Sequence, residues 1–166
     1  MNIAIIPARN GSKRLPKKNI KLFYNKPIIS YAINAAKKTK LFDKIIVSTD
    51  SKEIKKIAEF YGAEVPYLRP KHLSNDKVHF NESVKHMIQW LEKKNFKPKN
   101  ICCIYPTTPL LEHKLLIKGY EKLKKNKNFV FSACLFRSPP QRGFYFSKDK
   151  VVLFDKKSYK NNRSTT

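Results

Sequence analysis

NIAIIPARNGSKRLPKKN, residues 2–19, passes from an unbroken apolar run into a loop holding Gly11, Ser12 and the cations Arg9, Lys13, Arg14, Lys17 and Lys18. A short apolar run with no alternation reads as a strand buried on both faces, so Asn2 to Pro7 is predicted to be an inner strand of a parallel sheet. Outward from it, Ile29, Ala32, Ile33 and Ala36 repeat at helical spacing after Pro27, a residue suited to a first helical turn. Ile45 to Ser48 reads as a second strand. Asp50 or Ser51 is expected to cap a helix carrying Ile54, Ile57 and Ala58 and stopped by Gly62. A short strand is expected near Glu64 to Tyr67, and a third helix capped by Asn81 carries Val84, Met87, Ile88 and Leu91. Ile101 to Tyr105 reads as a strand, Leu115 to Leu123 as a fourth helix and Phe129 to Cys134 as a further strand. Gly143 to Phe146 pairs with Val151 to Phe154 as a hairpin. Strands alternating with helices predict an α/β fold in three layers, a mostly parallel sheet with helices on both faces.

The 166 residues are enough for one domain with a proper core and too few for two. At 41% apolar and 12% aromatic residues, the chain can offset the ordering entropy that keeps polar chains unfolded. Its apolar runs fall far short of the roughly 20 residues of a membrane span. The N-terminus turns from apolar to basic, the reverse of a secretory signal, so a cytoplasmic location and no membrane partner are expected.

With 36 Lys plus Arg against 12 Asp plus Glu the formal charge is +24, which points to anionic partners. Most of the cations are lysines on helix faces, where solvation is their ordinary role. The arginines Arg9, Arg14, Arg69, Arg137, Arg142 and Arg163 fall in loops and offer a planar fork for phosphate or carboxylate. Cys102, Cys103 and Cys134 lack Cys-x-x-Cys spacing and read as small buried apolar residues in a reducing compartment. The histidines show no metal-binding spacing either.

The loop after the first strand combines a backbone bend rich in N–H groups with several cations, the chemistry that surrounds polyphosphate oxygens. No glycine precedes Gly11 at Walker spacing. Four glycines in all exclude a G-x-G-x-x-G dinucleotide fingerprint. From the residues alone, a phosphate-binding loop and a basic surface turn remain equal readings.

Pro7-Ala8-Arg9, Gly11-Ser12-Lys13-Arg14 and Lys18-Asn19 after an N-terminal strand resemble the signature of the acylneuraminate cytidylyltransferases, the CMP-sialic acid synthetase family. IIVSTDSKEI (45–54) and GAEVPYLRPKHLSND (62–76), which holds Arg69 and Asp76, fit the same family. CCIYPTTPLL (102–111), FVFSACLFRSPPQRGF (129–144) and YKNNRST (159–165) are similar to its pseudaminic acid branch. The resemblance covers essentially the whole chain. It implies a Rossmann-like three-layer nucleotidyltransferase fold, one cytidylyltransferase domain over 1–166 that is incomplete at its C-terminal end.

The implied reaction joins CTP to a nine-carbon acidic sugar, pseudaminic acid or another nonulosonic acid, with release of pyrophosphate and a requirement for Mg²⁺. Matched residue by residue, the resemblance puts Arg9, Lys13 and Lys18 on the triphosphate as the catalytic cations. It puts Ala8, Asn10, Gly11, Ser12, Asn19 and Arg69 around the nucleotide, with Ala8, Asn19 and Arg69 at cytosine and ribose. Gln141, Arg142 and Arg163 are candidates for the sugar and its carboxylate. Tyr105 stands where many sialic-acid relatives have Gln, which favours the pseudaminic branch. Of the loop acids, Asp50 is expected to cap the helix after it. The family's metal aspartates lie in a C-terminal part that the chain stops before, so the expectation is no metal ligand here and slow turnover or none by these residues alone. That part also supplies a dimerisation extension in relatives, so a homodimer is implied for a full-length chain. The alternatives are a relative activating N-acetylneuraminic, legionaminic or 3-deoxy-octulosonic acid, or a basic nucleic-acid-binding module. The module is disfavoured because the aromatics sit in apolar positions rather than between basic residues on a strand face, and no nucleic-acid partner is expected.

Overall fold

Ile3, Ala4, Ile5 and Ile6 are wholly buried along the first strand, β1 (Asn2–Pro7), and the alternation of the strand sends them to two different cores. Ala4 and Ile6 pack with Ile29, Ile33 and Ala36 of helix α1 (Ile28–Thr39) and with Ile54 and Ala58 of α2 (Lys52–Phe60). Ile3 and Ile5 pack on the opposite face with Met87 and Leu91 of α3 (Phe80–Lys93). A strand sandwiched this way contributes roughly 2–3 kcal/mol for each large side chain fully buried, which is why the run tolerates no polar residue. These residues come from a computed structural model that describes residues 1–75, 78–126, 129–136 and 143–154. The chain divides into two compact units, Met1–Phe129 and Val130–Thr166.

In the first unit β1 is the centre of a parallel sheet, flanked by β4 (Lys44–Ser48) on one side and β5 (Asn100–Cys103) on the other. Single parallel bridges, Ile46 to Glu64 and Thr49 to Leu68, bring residues 64–68 alongside β4. The spatial order is therefore 64–68, β4, β1, β5. The chain steps outward twice and then returns across β1. Right-handed crossovers place helices made before and after such a reversal on opposite faces, as α1 and α2 lie opposite α3. Between β1 and α1, a small hairpin of β2 (Leu22–Phe23) and β3 (Lys26–Pro27) turns at Tyr24 and Asn25, both with positive φ. Helix α4 (His113–Asn126) follows β5, and its Leu116 joins the edge of the α1 core.

Ser51, not Asp50, caps α2: its Oγ accepts from Ile54 N at 3.3 Å. Gly62 ends the helix with φ of 88°, and a Cβ there would lie 2.6 Å from Lys37 Nζ. Helix α3 starts two residues earlier than predicted, with His79 in the place given to Asn81 because its imidazole accepts from Asn81 N. The strand expected near 64–67 is reduced to its two bridges. That expected at Phe129 to Cys134 does not form: no strand pairs with 129–136 among the described residues, so their backbone has no ladder. Phe131 and Leu135 there are exposed, as is Cys134. The cysteine expectation thus holds only in part, since Cys103 is exposed too, while burial pushes the half-buried Cys102 thiol up to about 11. In the second unit, β6 (Phe144–Ser147) and β7 (Lys150–Leu153) form the predicted hairpin, turning at Lys148 and Asp149 with positive φ. No helix among the described residues is long and apolar enough to cross a membrane.

Candidate functional site

Strands β1 and β5 are neighbours at the point where the strand order reverses, and a crevice opens between the loops at their carboxyl ends. A cleft of about 220 Å³ lies there. The loop after β1 supplies Arg9, Ser12, Lys18 and Asn19, and the loop after β5 supplies Tyr105, Pro106 and Thr107. Arg69, Phe80 and Ser83 close a third side.

The β1 loop is held from several directions. Ala8 is fully buried and its N–H donates to Ser48 O at 2.9 Å, extending the sheet by one residue. Asn10 N donates to Asp50 Oδ1 at 2.9 Å, and Ser12 N bends back to Asn10 O at 2.8 Å. Lys17, at φ of 53°, turns the chain into a short 3₁₀ turn over Lys18–Ile20, and its Nζ meets Glu53 Oε1 at 3.0 Å. Lys17 is thereby drawn to α2 while its neighbour Lys18 lines the cleft. Asn19 is buried, and its Nδ2 donates to Arg9 O at 2.8 Å. Its Oδ1 is buried with no donor among the described residues. An acceptor so placed costs about 1–3 kcal/mol until something donates to it.

Arg69 is only 4% exposed. Its N–H donates to Thr49 O at 2.7 Å, continuing the edge of the sheet, and its Nε donates to Ser74 Oγ at 3.1 Å, which fixes the plane of the guanidinium. Burial lowers its pKa, the Asp50 carboxylate and Tyr67 oppose that fall, and the nearby Arg9 charge adds to it. Tyr67, two residues earlier, shares a 2.8 Å hydrogen bond with His86 Nδ1 on α3. Burial raises the Tyr67 pKa against the opposing charge of Arg69, and lowers that of His86 with help from His72, Arg69 and Lys93. At the mouth, the rings of Phe80 and Tyr105 meet with centroids 5.2 Å apart, an aromatic wall opposite the cations.

Of the residues singled out from the sequence, Arg9, Ser12, Lys18, Asn19 and Arg69 thus meet in one cleft. Ala8 and Asn10 shape its loop through their backbone. Gly11 and Lys13 lie on the same loop, exposed, outside the lining. A Cβ on Gly11 would meet nothing within 4 Å, so the chain itself does not demand glycine there. Gln141, Arg142, Arg163 and Asp76 lie outside the described residues. Sequence reasoning missed Ser83, a buried polar residue on the cleft; the signal was its place on the apolar stripe of α3, one and two steps of four residues before Met87 and Leu91. Among the described residues the lining carries no carboxylate, and no group of three or more His, Cys, Asp or Glu side chains comes together. Mg²⁺ takes one or two carboxylates beside phosphate oxygens, and the described lining by itself supplies none.

An open parallel sheet with a cationic cleft where its strand order reverses is the arrangement of a nucleotide-binding α/β protein. The comparisons with known proteins narrow the class. A family model described as Cytidylyltransferase matches residues 3–166. A pseudaminic acid cytidylyltransferase of Campylobacter jejuni is 43% identical over 162 residues, 96% of this chain and 70% of that protein. A CMP-N,N'-diacetyllegionaminic acid synthase of Legionella pneumophila is 39% identical over 107 residues, 64% of this chain and 46% of that protein. Among solved structures, CMP:2-keto-3-deoxy-manno-octonic acid synthetase complexed with CTP superposes with a TM-score of 0.63 at 17% identity, over 76% of this chain and 48% of that one, a likeness of fold. The chain belongs to the cytidylyltransferase family.

Proposed function

We propose that the chain transfers CMP from CTP to an acidic nine-carbon sugar, pseudaminic acid or another nonulosonic acid, releasing pyrophosphate for surface glycan biosynthesis. The observation that carries this reading is the meeting of Arg9, Lys18, Asn19 and Arg69 in the cleft where the sheet order reverses. The 43% identity to a pseudaminic acid cytidylyltransferase supports the choice of sugar.

In this reading Arg9, Lys13 and Lys18 take the triphosphate, on a loop whose bend is held by the Asn10 and Ser12 N–H bonds. The donorless Oδ1 of Asn19 suits a ribose hydroxyl or the cytosine amine. The fixed fork of Arg69 suits the acceptor edge of cytosine. The sugar's anomeric hydroxyl attacks the α-phosphorus in line, its proton leaves to solvent, and the bond to the β,γ-pyrophosphate breaks. Charge gathers on the pyrophosphate in that step, and the loop cations stabilise it there more than in the bound CTP. Gln141, Arg142 and Arg163 remain proposals for the sugar, as does Mg²⁺ as the accompanying ion.

Titration with CTP, UTP, GTP and ATP, followed by pyrophosphate release in the presence of Mg²⁺ and each of pseudaminic, N,N'-diacetyllegionaminic, N-acetylneuraminic and 3-deoxy-octulosonic acids, tests the proposal. The expected result is preference for CTP and highest kcat/KM with pseudaminic acid. Absence of both CTP preference and release with any acidic sugar overturns it.

A further inference from the structure

We propose that Asp50 is a positioning residue that fixes the shape of the β1 loop by accepting the Asn10 N–H, and so presents the cations of that loop to phosphate. The inference rests on the functional reading above only for the identity of the ligand.

Asp50 lies two residues beyond the end of β4, and its side chain faces the loop after β1. The cap of α2 is already made by Ser51, so helix capping does not account for the carboxylate. Its Oδ1 instead reaches the loop 40 residues earlier, 2.9 Å from Asn10 N. On either side of that bond the loop is tied by backbone: Ala8 N to Ser48 O before it, Ser12 N to Asn10 O after it. Between these ties Asn10 is exposed, and the Asp50 oxygen is the acceptor that holds its N–H. A charged acceptor makes the stronger kind of hydrogen bond. The link from α2 to the same loop, Glu53 to Lys17, joins two exposed groups and holds weakly.

The position also couples two halves of the cleft. Residues 48–50 take a backbone bond from Ala8 through Ser48, a backbone bond from Arg69 through Thr49, and the Asn10 bond through Asp50. The end of β4 is thus a common anchor for the phosphate loop and for the arginine across from it. The Asp50 charge also acts on Arg69, opposing the effect of its burial.

The test compares wild type, Asp50→Ala and Asp50→Asn. Hydrogen exchange of the Asn10 and Ala8 amides, read by NMR without nucleotide, reports on the loop. Calorimetric titration with CTP across a range of Mg²⁺ concentrations reports on the site. Asp50→Ala is expected to speed exchange at Asn10 but not at Ala8 and to weaken CTP by about ten- to a hundred-fold. Asp50→Asn keeps an acceptor and is expected to stay within about five-fold of wild type, with Asn10 still protected. Unchanged exchange and affinity in Asp50→Ala overturn the proposal. So does an Asp50→Asn that loses affinity while Asn10 stays protected and its Mg²⁺ dependence shifts, because a metal ligand behaves that way. If Asp50→Ala fails to fold, Asp50→Asn decides alone: retained protection and affinity support the role, and loss of both removes it. A wild type that does not bind CTP defeats the functional reading, while the Asn10 exchange still decides what Asp50 does.

Discussion

In the proposed reading Arg69 is the side chain that selects the base. Its backbone is locked to Thr49, its Nε to Ser74, and its charge is kept in a nearly dry place beside Asp50 and Tyr67. A guanidinium held this way can be satisfied only by a ligand with acceptors in the matching plane, and uracil presents a donor where cytosine presents an acceptor. Arg69→Ala is therefore expected to lower the preference for CTP over UTP by about ten-fold or more, with a smaller loss of triphosphate affinity. Competition titrations with CTP, UTP and inorganic tripolyphosphate check it, and equal losses for all three would make Arg69 a structural or phosphate residue. At this scale the sequence is partly legible. The cleft cations and Asn19 follow from the resemblance of the loop to the cytidylyltransferase signature, since its composition by itself reads equally as a basic surface turn. The bond of Asp50 was illegible, since Asp-Ser before a helix is a capping pattern whichever residue caps. Ser83 was hidden for the opposite reason, a small polar residue within an apolar periodicity.

The elements that carry the site depend on their ends more than on their middles. Helix α2 begins at Lys52, two residues after Asp50, and the Ser51 cap fixes where the helix starts. Ser51→Ala is expected to lower stability by about 1 kcal/mol, a few degrees in Tm, because the Ile54 N–H loses its acceptor. Calorimetric or circular-dichroism melting measures this, and an unchanged Tm would show that Thr49 or Asp50 takes over the cap. Apolar runs gave β1, β4 and β5, and helical periodicity gave the four helices among the described residues, because each turns apolar side chains toward the cores. It failed at 129–136, where FVFSACLF has the composition of a two-sided inner strand but no strand beside it among the described residues. Apolar composition states that a segment needs cover. It does not state what provides it.

Across the first unit, the site is a consequence of strand order. Two outward steps followed by one return put the loops after β1 and β5 on either side of a gap, and the helices that enforce the order fill the two cores split by β1. The gap would exist with other loop residues; in the proposed reading its cations make it a site for a nucleoside triphosphate. That is the central claim, and calorimetric titration of CTP into wild type and Lys18→Ala tests it most directly. Lys18 lines the cleft and contributes nothing to either core, so the variant should melt as wild type does. A lost charge contact to phosphate of about 1.4 kcal/mol predicts a Kd raised about ten-fold, with the Kd for cytidine little changed. Equal CTP affinity in the two proteins, with both fully folded, would contradict the placement of the triphosphate in this cleft.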